Sequence, residues 1–215
     1  MKTSTLFQLG GIAVLLYAVL IGISNLMYFL SGGQPITTLG RWVNIADSYL
    51  LIFGLVALFG RLVQAQGERE KGSGTVLLVG LIGFVLLMLG NIGFIGVEAV
   101  GLGVTAGAIT EAQIAQVPSY AVVEPVLFWI YVAGEIIFGI SIYLTYRARE
   151  FPRYAGVVLA LAGLIQPLTG ELTFVTQPAF AILSFVAYAW LGWTLLSEKS
   201  IVPQYLERSE PVTVA

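Results

Sequence analysis

GSGTVLLVGLIGFVLLMLGNIGFIGV, residues 72–97, lies between Lys71 and Glu98 and holds no charged side chain. A helix rising about 1.5 Å per residue needs roughly 20 apolar residues to cross a hydrocarbon core about 30 Å thick. This run exceeds that length. In lipid, a helix satisfies its own backbone polar groups, which an irregular segment does not. The stretch therefore reads as a transmembrane helix, and the rest of the chain reads outward from it.

Three further stretches lack Asp, Glu, Lys and Arg: Thr3–Gly40, Tyr154–Gly170 and Leu172–Ser197. Of the 215 residues 58% are hydrophobic and 10% charged, against about 25% charged in a soluble domain. Too few charges remain to coat a water-facing surface, whereas a lipid-facing one needs no coat. The expected architecture is an all-α polytopic membrane protein, a single domain over 1–215. Six spans are expected at about 6–30, 43–63, 75–97, 126–146, 154–169 and 178–196, with a solvated tail over 197–215. The first run is longer than the 7–15-residue core of a signal peptide and reads as a membrane helix.

Turn residues set the expected connections. Gly32, Gly33, Pro35 and Gly40 mark the first loop, and QAQGEREKGSG at 64–74 is the clearest solvated connector. Asn44 or Asp47 is a plausible cap for the second helix. Residues 98–125 stay open between a loop, an interfacial helix and a re-entrant segment. Gly101, Gly103 and Gly107 break that apolar stretch, and Pro118 and Pro125 bracket its end. Pro167 is expected to kink or end the fifth helix.

Lys and Arg orient the bundle. With both termini in the cytoplasm, Lys2, Arg61, Arg69, Lys71, Arg147, Arg149, Arg153, Lys199 and Arg208 fall inside and only Arg41 outside. This is the bias of the positive-inside rule, and an odd number of spans would break it. Asp47, Glu98, Glu111, Glu124, Glu135 and Glu171 fall in or near the outer half. Such acids attract cations, or simply collect where bases are excluded.

Glu135 is the leading candidate for chemistry. Counted from residue 126 it lies about 14 Å into its helix, where a carboxyl costs on the order of 2.5–3.5 kcal/mol and should face the bundle interior. Tyr131 at i−4 is within hydrogen-bond reach, and Gly139 at i+4 admits a neighbouring helix. Glu135 with Tyr131, Asn91 and Gln166 forms a candidate intramembrane polar site for a proton, a cation or a ligand. Equally, Glu135 is a neutral structural acid bonded to Asn91, Gln166 or a backbone carbonyl. Asp47 and Glu98 form a candidate outer vestibule, with a helix cap and an interfacial acid as the plainer alternatives. Arg147, Arg149 and Arg153 are candidates for a lipid headgroup, or serve only to fix topology. Gly80, Gly83, Gly90, Gly93 and Gly96 permit close helix packing. Trp42, Trp129, Trp190, Trp193, Tyr120, Tyr146 and Tyr154 fit interfacial belts.

Missing residues exclude whole classes. The chain has no His and no Cys, so it lacks an imidazole base, a thiolate nucleophile, ordinary b-type haem ligation and any Cys-held iron–sulfur cluster. Asp47 is the sole Asp, which removes paired-Asp proteolysis and Asp-rich magnesium sites. Lys2, Lys71 and Lys199 lie at or beyond helix ends, away from any retinal. A net charge of −2 shows no basic face for nucleic acid. No metal or cofactor is expected.

The stretch FGISIYLTYRAREFPRYAGVVLALAG, residues 138–163, resembles a segment of bacterial multi-pass membrane proteins of the domain-of-unknown-function type. The matching positions are Phe138, Gly139, Arg147, Pro152, Arg153, Gly156, Leu159 and Gly163. The resemblance implies the cytoplasmic (inner) membrane of a bacterium, assigns no activity and transfers no functional residue.

Three functions follow in order. The first is a non-catalytic accessory or assembly subunit, partnered by the lipid bilayer, other membrane subunits or a second copy. It rests on few buried polar groups, no catalytic set and many glycine faces. The second is a small proton- or cation-coupled transporter or channel using Glu135. The third is a binder or enzyme for a lipid-soluble substrate such as a quinone.

Overall fold

The computed structural model describes residues 3–30, 37–67, 74–146, 152–169 and 173–197. Among them every regular element is helical. The chain forms α1 (Thr3–Leu30), α2 (Thr38–Gly67), α3 (Gly74–Thr105), a five-residue α4 (Glu111–Ala115), α5 (Pro118–Thr145), α6 (Arg153–Ile165) with a 3-10 extension (Gln166–Thr169), and α7 (Thr173–Ser197). Five of these, α1, α2, α3, α5 and α7, are long and apolar enough to cross a membrane. The chain is thus an integral membrane protein. The segment from Arg153 to Leu168 is apolar but shorter.

The helices close into a ring in the order α1, α2, α3, α5, α6, α7 and back to α1. Each neighbour runs antiparallel to the last. Gly10 meets Ala57 between α1 and α2, while α3 lays Gly80, Gly83, Gly90 and Gly93 against Ser141, Phe138, Tyr131 and Leu127 of α5. The pairs recede in step, so one glycine face of α3 seats the whole of α5, as small residues allow in lipid. Gly96 has open space beside it. Gly139 of α5 and Gly156 of α6 face each other's carbonyls, and Gly11 and Gly192 do the same where α1 closes on α7. Leu51, Leu55, Leu87, Phe138, Leu159, Tyr188 and Leu191 fill the centre, and large apolar residues such as Ile12, Leu89, Ile92 and Ile182 are left exposed outside.

Several boundaries differ from the sequence expectation. α2 begins at Thr38, so Asn44 and Asp47 lie two to three turns inside it and cap nothing. α3 runs through Gly101 and Gly103 and stops only at Gly107, whose φ is +71°. There Ala108 N–H donates to Gly103 O and Gly107 N–H to Val104 O, both 2.9 Å, the paired bonds of a glycine-terminated helix end. Residues 98–125 are therefore mostly helical. After α4, whose first turn is closed by reciprocal Thr110–Gln113 bonds, Pro118 opens α5 at the position where a missing N–H does no harm. Pro125 and Pro178 sit inside α5 and α7. α6 changes to 3-10 geometry at Gln166, beside Pro167.

Candidate functional site

The ring encloses a cavity of about 540 Å³ in its Arg41 half. Its walls follow helical spacing. α2 presents Asn44, Asp47 and Ser48, and α3 presents Asn91, Phe94 and Glu98. Tyr17 and Asn25 come from α1, Tyr131 from α5, and Gln166 and Phe180 complete the lining. Met27 and Leu39, 64% and 73% exposed, also line it, so the cavity opens beside them at the end where α1 stops and α2 starts.

Glu135 lies behind Tyr131 and is fully buried. Its Oε1 accepts two phenolic hydrogen bonds, from Tyr131 at 3.0 Å and from Tyr188 of α7 at 2.9 Å. Tyr17 and Tyr131 approach to 3.1 Å between hydroxyl oxygens. A phenol has one proton, and that of Tyr131 points to Glu135, so Tyr17 donates to Tyr131. The rings of Tyr17 and Tyr188 meet edge-on, 4.7 Å between centroids. Two tyrosines from two helices thus bond one carboxyl group, and a third, Tyr17 of α1, bonds the first of them. Glu135 Oε2 is buried without a partner. An ionised Glu135 leaves a lone pair unused there, and a neutral one carrying its proton on Oε2 has no acceptor, so this oxygen is the open valency of the set.

The partners proposed for Glu135 from sequence are only partly those found. Tyr131 bonds to it as the i−4 spacing requires. Asn91 instead donates its amide to Leu87 O of its own helix at 2.8 Å, and Gln166 lines the cavity. Tyr17 and Tyr188 escaped notice. Each is an aromatic near the middle of a charge-free run, and depth matching that of Glu135 was the available signal.

Asp47 and Glu98 line the same cavity, but their surroundings differ. Glu98 receives Arg41 Nη1 at 2.9 Å and Asn44 Nδ2 at 2.8 Å, so Arg41, the one cation at this end among the described residues, is paired rather than free. The Arg41 guanidinium lies so close over Gly101 that a Cβ there would overlap it. Asp47, 7% exposed, has Ser48 Oγ at 3.4 Å and no cation in the described residues.

At the other end, Arg153 stacks over the Tyr143 ring at 4.1 Å. The two other candidate headgroup residues, Arg147 and Arg149, lie outside the described residues, as do Glu171 and the tail beyond Ser197. Among the belt candidates, Trp42, Trp129, Trp193 and Tyr154 are exposed, whereas Tyr146 is buried. Two more polar pairs tie helices together: Gln177 Nε2 to Asn25 Oδ1 at 2.6 Å and Gln66 Nε2 to Thr145 Oγ1 at 2.9 Å. Among the described residues no group of acids is arranged to hold a metal ion.

No family model matches the chain, and neither a curated protein nor a solved structure matches it.

Proposed function

We propose that this protein is a small proton- or cation-coupled membrane transporter in which Glu135 holds the coupling proton and the neighbouring cavity holds the substrate. One observation carries this reading: a fully buried carboxyl with an unpartnered oxygen, joined through Tyr131 and Tyr17 to the wall of a 540 Å³ cavity. Intramembrane ionisable groups are rare, face the bundle interior and mark ion and proton paths, so one joined to a cavity supports a functional reading. Asp47, Asn91, Glu135, Ser141, Thr145 and Ser184 are all buried, and this polar interior supports the transport reading. A non-catalytic accessory or assembly subunit, read from few buried polar groups, no catalytic set and many glycine faces, is the alternative.

Six spans, with both termini cytoplasmic in a bacterial inner membrane, complete the proposal. Thirteen α-helical and four 3-10 residues from Arg153 to Thr169 extend roughly 28 Å, close to the hydrocarbon thickness. Six antiparallel helices then keep Arg61 and Arg153 at one end and Arg41 at the other. The resemblance over 138–163 supports a bacterial origin.

The test is flux in proteoliposomes under imposed gradients of H⁺, Na⁺, K⁺ and organic ammonium ions. Wild type should exceed empty liposomes at least about tenfold for one of them, and Glu135→Gln should fall to background while keeping its helical signal and monodispersity. Full flux in Glu135→Gln, or none in wild type, refutes the reading. A lipid-soluble ligand such as a quinone is the second reading, favoured by the apolar rim at Met27 and Leu39. Copurification of such a molecule would support it.

A further inference from the structure

We propose that the cavity binds a lipophilic organic cation, a protonated amine or a quaternary ammonium or phosphonium ion, with Asp47 as its counter-ion. This names a substrate class and rests on the transport reading for its physiological role, though the binding itself does not.

Charge sets the sign of the ligand. Among the described residues two carboxyls line the cavity, and Glu98 is occupied by Arg41 and Asn44. Arg41 is held there, its guanidinium packed on Gly101, and among the described residues no Lys or Arg lines the space. Asp47 is left as a carboxyl more than nine-tenths buried, facing the cavity with the hydroxyl and backbone N–H of the adjacent Ser48 beside it and no cation among the described residues. A buried carboxyl ionises readily only beside a positive charge, and a cationic ligand in the cavity would supply one.

Ring chemistry sets the kind of cation. Tyr17, Tyr28, Phe94, Tyr131 and Phe180 all line the cavity, and aromatic faces attract weakly hydrated cations. Leu20, Ile21, Ile23, Met27 and Val43 supply apolar wall. A calcium or magnesium ion would need a shell of six or more oxygens, which one carboxyl and scattered amides among aliphatic side chains do not form. A cavity of 540 Å³ suits a drug-sized organic ion.

The experiment is equilibrium binding of tetraphenylphosphonium to the purified full-length protein in detergent, with tetraphenylborate as a probe of the same shape and opposite charge. Saturable binding of the cation alone is expected, weakened at least about tenfold by Asp47→Asn and largely kept by Asp47→Glu. Equal binding of both ions to wild type overturns the proposal, and that comparison needs no variant to fold. Undiminished affinity in a folded Asp47→Asn protein overturns it too. Glu135→Gln separates the two readings. Retained binding with unchanged flux defeats only the coupling role of Glu135, and lost flux without cation-selective binding in wild type defeats only the substrate class.

Discussion

Tyr188 and Glu135 stand 53 positions apart and share a 2.9 Å hydrogen bond at the centre of the bundle. With Tyr131 on the same carboxyl oxygen, this bond gives the intramembrane acid a fixed orientation, set by two helices rather than one. The other carboxyl oxygen is thereby held without a partner.

Removing the Tyr188 hydroxyl should be felt directly. Tyr188→Phe is expected to lower stability by about 1 kcal/mol in a detergent unfolding titration, the usual scale for a buried hydrogen bond in a membrane protein. Tyr17→Phe removes a donor to Tyr131 only and should cost less. A double-mutant cycle of Tyr188→Phe with Glu135→Leu, which removes the acceptor at similar volume, should show coupling of roughly 0.5 kcal/mol or more. Strict additivity would mean the bond contributes nothing.

Two glycines on one helix should behave oppositely. A Cβ at Gly83 would come within 2.5 Å of Phe138 N and 2.8 Å of its Cα. This is backbone that cannot yield without moving α5. Gly83→Ala should destabilise by roughly 1–3 kcal/mol. At Gly96 nothing lies within 4 Å, and Gly96→Ala should be neutral or stabilising by up to about 1 kcal/mol. Thermal unfolding of both variants in one detergent decides the matter.

Arg41 and Glu98 bridge α2 and α3 at the cavity mouth, with side chains 22% and 15% exposed. Arg41→Gln should cost about 1–2 kcal/mol, between surface and buried pairs. Gly101→Ala should mimic it, because the new methyl group occupies the guanidinium's seat. If Gly101→Ala unfolds like wild type while Arg41→Gln does not, the seat matters less than the charge.

Topology is open to a clean measurement because the chain contains no Cys. Single reporters Ser73→Cys and Ser197→Cys should label from one face of sealed vesicles and Thr110→Cys from the other. Between positions 73 and 197 lie α3, α5, α6 and α7. If α6 did not cross, Ser73 and Ser197 would label from opposite faces.

The helices were legible from the sequence because lipid-length apolar runs have one physical explanation. Their ends were not. Gly101, Gly103 and Pro125 carry turn signals, yet in a low-water environment the backbone keeps its helical bonds wherever neighbours protect it. Asn44 and Asp47 looked like caps because they stand at the start of the second apolar run, and their side chains instead face Glu98 and the cavity. In the candidate site, Tyr131–Glu135 was readable as an i, i+4 pair. Tyr17 and Tyr188 were not, since their contacts span 114 and 53 positions and no local pattern encodes a ring closure.

The closure of α1 on α7 has a consequence for biogenesis. A nascent chain emerges amino end first, so Tyr17, Tyr131 and Glu135 are all synthesised before Tyr188. Until the last helix is inserted, the ring stands open along the seam where Gly11 later meets Gly192, and the buried acid has one phenol donor instead of two. A chain interrupted before residue 173 would present that acid at a lipid-accessible gap, a recognisable mark for membrane quality control.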